Sequence, residues 1–354
     1  MKHVYRIIVI VFVLIFLLFL FRRPSSPITT PREEVWMVMG TVASLRTPAK
    51  EREHFSDMLE IARETFSDVN QKLSVYDPES ELSILHQEGE LDSMSPLTRT
   101  FLETTKEMTA KAEGYFDATL LPVIQLWGFS GGDTPTNVPS ADEIADALDR
   151  PLLSSLQIED TKAYFDGPPA HIDPGGIAKG LALDLAFENI QQAFPEAHFL
   201  LNLGGEMRAS GMAEEDRPWR IAIQHPFEER AIIGVISLPD TTAVATSGHY
   251  ERYTEIDGKR YAHIINPATG WPVEDTAGVT VLSPNSTEAD VLSTGLFVAG
   301  LDGAADLLAT FPQSEAIIIP DRQPIEIYTT DGLKEHFDPY PDVKDHLHPL
   351  PNSH

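Results

Sequence analysis

Residues 173–206 read DPGGIAKGLALDLAFENIQQAFPEAHFLLNLGGE, and the change of pattern inside them decides the fold. From Gly176 to about Phe194 the chain is apolar on most faces, which predicts a buried helix. His198 to Leu203 then alternates as a strand does, and Asn202-Leu203-Gly204-Gly205-Glu206 reads as a bulged strand end. Further strand runs follow at Trp219–His225, Ile232–Leu238, Thr242–Thr246, Tyr261–Asn266 and Gly278–Ser283, with Asp257-Gly258 as a hairpin turn. Upstream the pattern is helical: Phe55, Met58, Leu59, Ala62, Phe66, Val69 and Leu73 share one face, and Phe101, Met108 and Ala112 share another before Gly114. Pro135–Ser140 is a loop, and Ser140 with Glu143 forms a capping box. A helix after Ser286 ends near Gly300, and a last helix and two strands follow. Runs of helices beside runs of strands predict an α+β fold, not a doubly wound parallel sheet.

The 354 residues carry 26 bases and 54 acids, a net charge of −28. Residues 1–32 hold five bases and no acid, which leaves 21 bases against 54 acids, −33, in the other 322. Such a body repels nucleic acid and anionic lipid, and it repels a small anion unless a cation or clustered donors intervene. With no cysteine, disulfides, thiolate metal sites and lipidation on cysteine are excluded. Ile7 to Phe21 is an unbroken apolar run between Lys2 and Arg6 on one side and Arg22 and Arg23 on the other. With no small-x-small cleavage site behind it, the run predicts an uncleaved signal-anchor over 1–23, a linker over 24–34 and an exported body. The proline-rich stretch 338–354 is expected to be a loose tail.

Four segments hold residues suited to chemistry. The glycines of Asp173–Gly180 at a helix start let backbone N–H groups approach a phosphate, with Lys179 as a cation, although on their own they read as a plain strand-to-helix turn. Neither the P-loop nor the dinucleotide spacing is present. The second is the Gly204-Gly205 turn described above. In the third, His263–Gly270, His263 is a candidate general base, since imidazole titrates near neutral pH. In the fourth, Glu288–Thr294, Asp290 and Thr294 lie four apart on one helix face. Their carboxylate and hydroxyl, with a nearby backbone carbonyl, are hard oxygen ligands for Mg²⁺; taken alone they read as helix residues bonding back to a neighbour. A phosphate cradle and a hard-cation pair in one chain suit nucleotide chemistry.

Taken in order, Met39-Gly40-Thr41, the stretch Leu73 to Ser83, Phe116-Asp117-Ala118-Thr119 leading to Leu126-Trp127-Gly128-Phe129, Asp173 to Gly180, Asn202 to Glu206, His263 to Gly270 and Ala289 to Thr294 resemble the ApbE family of flavin transferases. The resemblance spans roughly residues 35–330 and implies one domain over 35–337. The implied fold has mixed and antiparallel sheets packed with helices, a T-fold-type sandwich, preceded by one N-terminal membrane helix. It also implies an exported enzyme, on the periplasmic side of the inner membrane, that uses Mg²⁺ to move the FMN half of FAD onto a Thr or Ser hydroxyl of an acceptor protein, releasing AMP. Acceptors in the family include subunits of ion-pumping redox complexes. On matching positions, Met39, Tyr76, Asp117, Ala118, Thr119, Asp173, Lys179 and Ile264 line the FAD site. Asp290 and Thr294, with the Gly176 carbonyl, ligate Mg²⁺, and His263 is the base.

This chain departs from the family at three points. It has no cysteine for a lipid tether, so the apolar segment takes that role; Pro174 stands where Leu is usual; and Asn266 stands where Asp is common. Two other readings of the same residues are an FAD diphosphatase giving FMN and AMP, and a membrane-tethered flavin-binding protein without turnover.

Overall fold

The computed structural model describes residues 30–130, 135, 137–214 and 217–351. The apolar run Ile7 to Phe21, and with it the expected membrane anchor, lies outside the described residues. The chain opens with a hairpin, β1 (Arg32–Val38) and β2 (Thr41–Thr47), then helices α1 (Phe55–Leu73) and α2 (Glu81–Glu88), strand β3 (Glu90–Leu91) and helix α3 (Pro96–Lys111). Two short helices, α4 (Leu121–Leu126) and α5 (Ala141–Leu148), precede the strand pair β4 (Leu156–Ile158) and β5 (Ala163–Phe165). The long buried helix α6 (Ala178–Ala193) leads into β6 (Phe199–Leu203), β7 (Glu206–Ser210), β8 (Trp219–Gln224), β9 (Ile232–Leu238) and β10 (Ala243–Gly248). After the hairpin β11 (Tyr253–Ile256) and β12 (Lys259–Ala262) come β13 (Thr276–Ser283), α7 (Ser286–Ala309), β14 (Glu315–Pro320), β15 (Ile327–Thr329), β16 (Phe337–Pro339) and β17 (Leu347–Pro349).

Nine strands form one sheet in the order β1-β2-β6-β7-β10-β13-β14-β15-β17, antiparallel except for the last pair. Alternation along each strand sends side chains to two different cores. One parity, including Leu45, Leu201, Ala245, Val279 and Ile318, packs with α1, α6 and α7. The other, including Ala209, Val244 and Ile317, packs with the three-stranded sheet β16-β9-β8 through Ile221, Ile223 and Ile236. Covered on both faces, β13 is buried at all eight positions. A separate, smaller core gathers Trp127, Val123, Ile144, Tyr261 and Ile265 from α4, α5, the β11–β12 hairpin and the loop after it. The indole N–H of Trp127 donates to the Gly270 carbonyl at 2.9 Å and ties these pieces together.

The α+β reading, the Ser140–Glu143 capping box and the Asp257-Gly258 hairpin stand as expected, as does the break near Gly300 (φ 58°), beyond which a further helical stretch runs to Ala309. Three details differ. The Gly204-Gly205 pair is a two-residue hairpin turn with both φ positive (70° and 99°), joining Leu203 to Glu206 in register, so β6 ends in a turn and not in a bulge. The strand expected over Tyr261–Asn266 stops at Ala262, because the chain folds back and Asn266 N–H donates to the Trp271 carbonyl. The segment expected as a loose tail is tied down in its described part: β16 pairs with β9, and β17 pairs with β15.

Helices α6 and α7 meet at their N-termini, and each supplies the other's cap. Asp184 of α6 accepts from the Ser286 N–H at 2.7 Å, the Thr287 N–H at 2.9 Å and the Thr287 hydroxyl at 2.7 Å. Asp290 of α7 accepts from the Gly180 N–H at 3.1 Å. Arg208 pairs with Asp184 from β7 and lies over the Phe187 ring. The contact is close enough that a Cβ on Gly180 would stand 2.5 Å from the Ser286 carbonyl oxygen and 2.7 Å from the Thr287 Cα. These are backbone atoms that cannot swing aside. Gly180→Ala should therefore cost about 2 kcal/mol, a fall in Tm of roughly 3 °C for a chain of this size. An unchanged melting curve would rule out so close a packing.

Candidate functional site

A cavity of about 820 Å³ opens between the main core and the smaller one, a volume in the upper part of the range usual for ligand clefts. The turn of the β1–β2 hairpin contributes Met39, which holds φ 51° beside Gly40 at 69°. The end of α1 and the residues after it reach Tyr76, whose hydroxyl lies 3.1 Å from Ser130 Oγ on the side of the smaller core. The floor is Phe116 to Ala118 and the turn before α6; the far wall is Glu251, Arg252 and His263 to Ile265. Of the residues named from sequence, Met39, Tyr76, Asp117, Ala118, Asp173, Gly176, Lys179, His263, Ile264, Asp290 and Thr294 all line this one space. Thr119 does not. It is 1% exposed and lies behind Asp117, donating its N–H and hydroxyl to Asp117 Oδ1 at 2.8 and 2.7 Å.

The turn before α6 is shaped by hydrogen bonds. The Pro174 carbonyl accepts from the N–H groups of Ile177 (3.2 Å) and Ala178 (2.8 Å), so proline costs the turn no bond that these make. Asp173 N–H donates to the Ala118 carbonyl at 2.6 Å, binding the turn to the floor. Gly180 N–H, which in an unbroken helix would return to the Gly176 carbonyl, goes to Asp290 instead. This leaves the Gly176 carbonyl without its helical donor. A Cβ on Gly176 would come within 3.5 Å of Thr294 Oγ1, so this turn and the Asp290–Thr294 face of α7 are neighbours. Asn266 Oδ1 accepts from Ala268 N–H at 2.9 Å, a turn-forming role that Asp fills equally well.

Charge is concentrated here. The Lys179 ammonium lies 2.6 Å from Glu206 Oε1, 3.4 Å from Asp290 Oδ1 and 3.0 Å from the Gly175 carbonyl. Burial alone would lower its pKa, but Asp290 and Glu206 outweigh burial and raise it, so it stays charged. Burial, reinforced by the charge of Asp290, pushes Glu206 well above the carboxylate range. The same two causes bring Glu251 to about 7, against a partial offset from Lys179. Burial also raises Asp173. Glu206 Oε2 is buried with no hydrogen-bond partner.

This surplus of buried acid tests the fit of a hard cation. Among the described residues no three His, Asp or Glu side chains converge as a ligand group. The expected set needs only one carboxylate, one hydroxyl and one carbonyl, and Asp290, Thr294 and Gly176 supply them together with an orphaned carboxylate oxygen on Glu206. All are oxygen donors, as Mg²⁺ prefers, so the residues fit it.

His263 Nδ1 lies 3.1 Å from the Arg252 carbonyl, which can only accept, so Nδ1 carries the proton and Nε2 keeps its lone pair. Burial, with Arg252 and Lys179 nearby, lowers its pKa to about 4. Sequence reasoning did not single out Glu251, Arg252, Arg150 or Asp184. Glu251 and Arg252 follow a strand in an ordinary turn, while Arg150 and Asp184 act from outside the cavity and belong to no spaced motif.

Comparisons with known proteins agree with this geometry. The family model described as "ApbE family" matches residues 39–318. A Haemophilus influenzae protein named FAD:protein FMN transferase is 37% identical over 253 residues, 68% of this chain and 72% of its own length. A Vibrio cholerae protein of the same name is 34% identical over 272 residues, 76% of this chain and 79% of its own. Among solved structures, the Thermotoga maritima ApbE protein superposes with a TM-score of 0.77 at 28% identity, covering 87% of this chain and 99% of that one. The flavin transferase ApbE from Vibrio cholerae gives 0.74 at 28% identity, with the same coverage. The chain belongs to the ApbE family.

Proposed function

We propose that this chain is a Mg²⁺-dependent FAD:protein FMN transferase, which moves the FMN moiety of FAD onto a Thr or Ser hydroxyl of an acceptor protein and releases AMP. One observation carries the reading: a single cavity joins the Lys179 ammonium, the Asp290, Thr294 and Gly176 oxygens and the free ring nitrogen of His263, in a chain whose relatives bear that name. Met39, Tyr76, Asp117, Ala118, Asp173 and Ile264 then form the walls that hold the dinucleotide, with Thr119 supporting Asp117. The apolar segment Ile7 to Phe21 would tether the domain to the inner membrane with its body exported, near acceptors such as subunits of ion-pumping redox complexes.

In the reaction, the acceptor hydroxyl oxygen forms a bond to the FMN-side phosphorus as the bridging P–O bond to AMP breaks. His263 Nε2 receives the hydroxyl proton, and the Nδ1–H bond to the Arg252 carbonyl holds the ring while it does so. Mg²⁺ held by Asp290, Thr294 and the Gly176 carbonyl would supply Lewis-acid charge to the diphosphate. Lys179 adds a fixed positive charge beside it. The Tyr76 hydroxyl, 3.1 Å from Ser130 Oγ, joins the smaller core's side of the cleft to the segment after α1.

Mass spectrometry of an acceptor after incubation with FAD and Mg²⁺ should find covalent FMN; free FMN formed equally with and without acceptor would make the enzyme a diphosphatase. Asp290→Ala should abolish transfer and its response to Mg²⁺, and wild-type transfer by this variant in EDTA would refute the metal assignment. His263→Ala should lower the transfer rate about 10²- to 10⁴-fold while FAD binding persists. Because the His263 pKa is depressed to about 4, the base is neutral and competent above that pH and is lost only as pH falls through it. The His263-dependent part of the rate should therefore be flat from pH 6 to 8, whereas a limb centred near the ordinary histidine value of about 6.5 would contradict the burial of its charged form.

A further inference from the structure

Asp117 differs from the other acids of the cavity in being neutralised from behind. Arg150, two residues beyond α5, turns back on the helix end through Nη1 to the Leu148 carbonyl at 3.1 Å. It donates from Nη2 to Asp117 Oδ2 at 2.7 Å and from Nε to Thr119 Oγ1 at 3.1 Å. With the two bonds from Thr119 to Asp117 Oδ1, this closes a ring of three side chains. The Arg150 side chain is 9% exposed and that of Asp117 17% exposed. Asp117 Oδ1 already accepts two donors from Thr119 and Oδ2 accepts one from Arg150, which leaves one lone-pair direction, on Oδ2, for a ligand, while Arg150 itself is absent from the cavity lining.

The charge balance shows what this does. Asp117, Asp173, Glu206, Glu251 and Asp290 line the cavity, with Lys179 and Arg252 as its cations. Lys179 is already shared between Glu206 and Asp290. No cation of the lining makes an ion pair with Asp117; Arg150 does. A dinucleotide brings two more negative charges on its diphosphate, so an uncompensated Asp117 would oppose its entry. Resting on the FAD reading above, we propose that Arg150 is a positioning residue for FAD binding, cancelling the charge of Asp117 and fixing the direction of the one lone pair left free on its Oδ2. Because Arg150 belongs to the smaller core's side and Asp117 to the floor, the same ion pair also joins the two walls of the cleft.

The test uses the full chain, titrated with FAD and followed by flavin fluorescence, with transfer kinetics alongside. Arg150→Gln should weaken FAD binding about tenfold or more and raise KM for FAD equally, with kcat changed less than about threefold. Asp117→Asn/Arg150→Gln, which removes both charges, should bind FAD within about threefold of Asp117→Asn alone. Wild-type FAD affinity in folded Arg150→Gln would overturn the proposal and leave the pair a structural staple. Should Arg150→Gln not fold, the doubly neutral variant decides alone: tenfold weaker binding than Asp117→Asn would show that Arg150 acts by another route and would also overturn it. Failure of the functional reading is seen separately, as wild-type protein that does not bind FAD.

Discussion

Two helices that cap each other hold this protein's chemistry in place. Asp184 on α6 satisfies the first N–H groups of α7, and Asp290 on α7 satisfies an N–H in the first turn of α6. Helix starts carry unpaired donors and partial positive charge, so a buried carboxylate is a favourable partner at each. The reciprocity fixes the axial register of the two helices, and with it the distance between the 173–180 turn and the Asp290–Thr294 face. Gly180 is the steric condition for it, since only a residue without Cβ lets the backbones meet. The arrangement also uses Asp290 twice, as a cap through one oxygen and as a neighbour of Lys179 through the other.

The same geometry explains how a body of such acidity handles an anion. Acids outnumber cations in the cavity lining, and burial raises several of them above their ordinary pKa. Part of the local negative charge is thus removed by protonation, part by Lys179, and in the proposed reaction part by a bound divalent ion. Much of the remaining excess of Asp and Glu lies on the surface, where water solvates it. The net charge of the chain is therefore a poor guide to the field at its site.

Much of this was legible in the sequence wherever a residue acts locally. The helical spacing from Phe55 to Leu73, the capping box at Ser140 and the Asp257-Gly258 turn depend on neighbours in the chain, and the structure reproduces them. The side chains that the ordered motifs named also line one cavity, with Thr119 the exception, because its hydroxyl serves Asp117 and not the open space. What could not be read depends on long-range contact. Gly204-Gly205 was ambiguous between bulge and turn until β7 was seen to return along β6. The end of the chain resembled a tail because its prolines hide two short strands, one of which pairs far back in sequence with β9 and the other with the nearer β15. Asp184 and Arg150 are ordinary charged residues on or beside helices, and only the fold gives them partners more than 30 residues away.

The division into two cores has a dynamic consequence. Amides near the α6–α7 junction belong to the large core, where exchange with solvent requires the most cooperative opening. The opposite wall of the cleft stands on helices of six and eight residues and a short hairpin, grouped around Trp127. Fewer buried side chains hold it, so local opening there is expected to cost less. The two walls of the cleft thus rest on cores of unequal size, with the side that carries Asp290 on the larger.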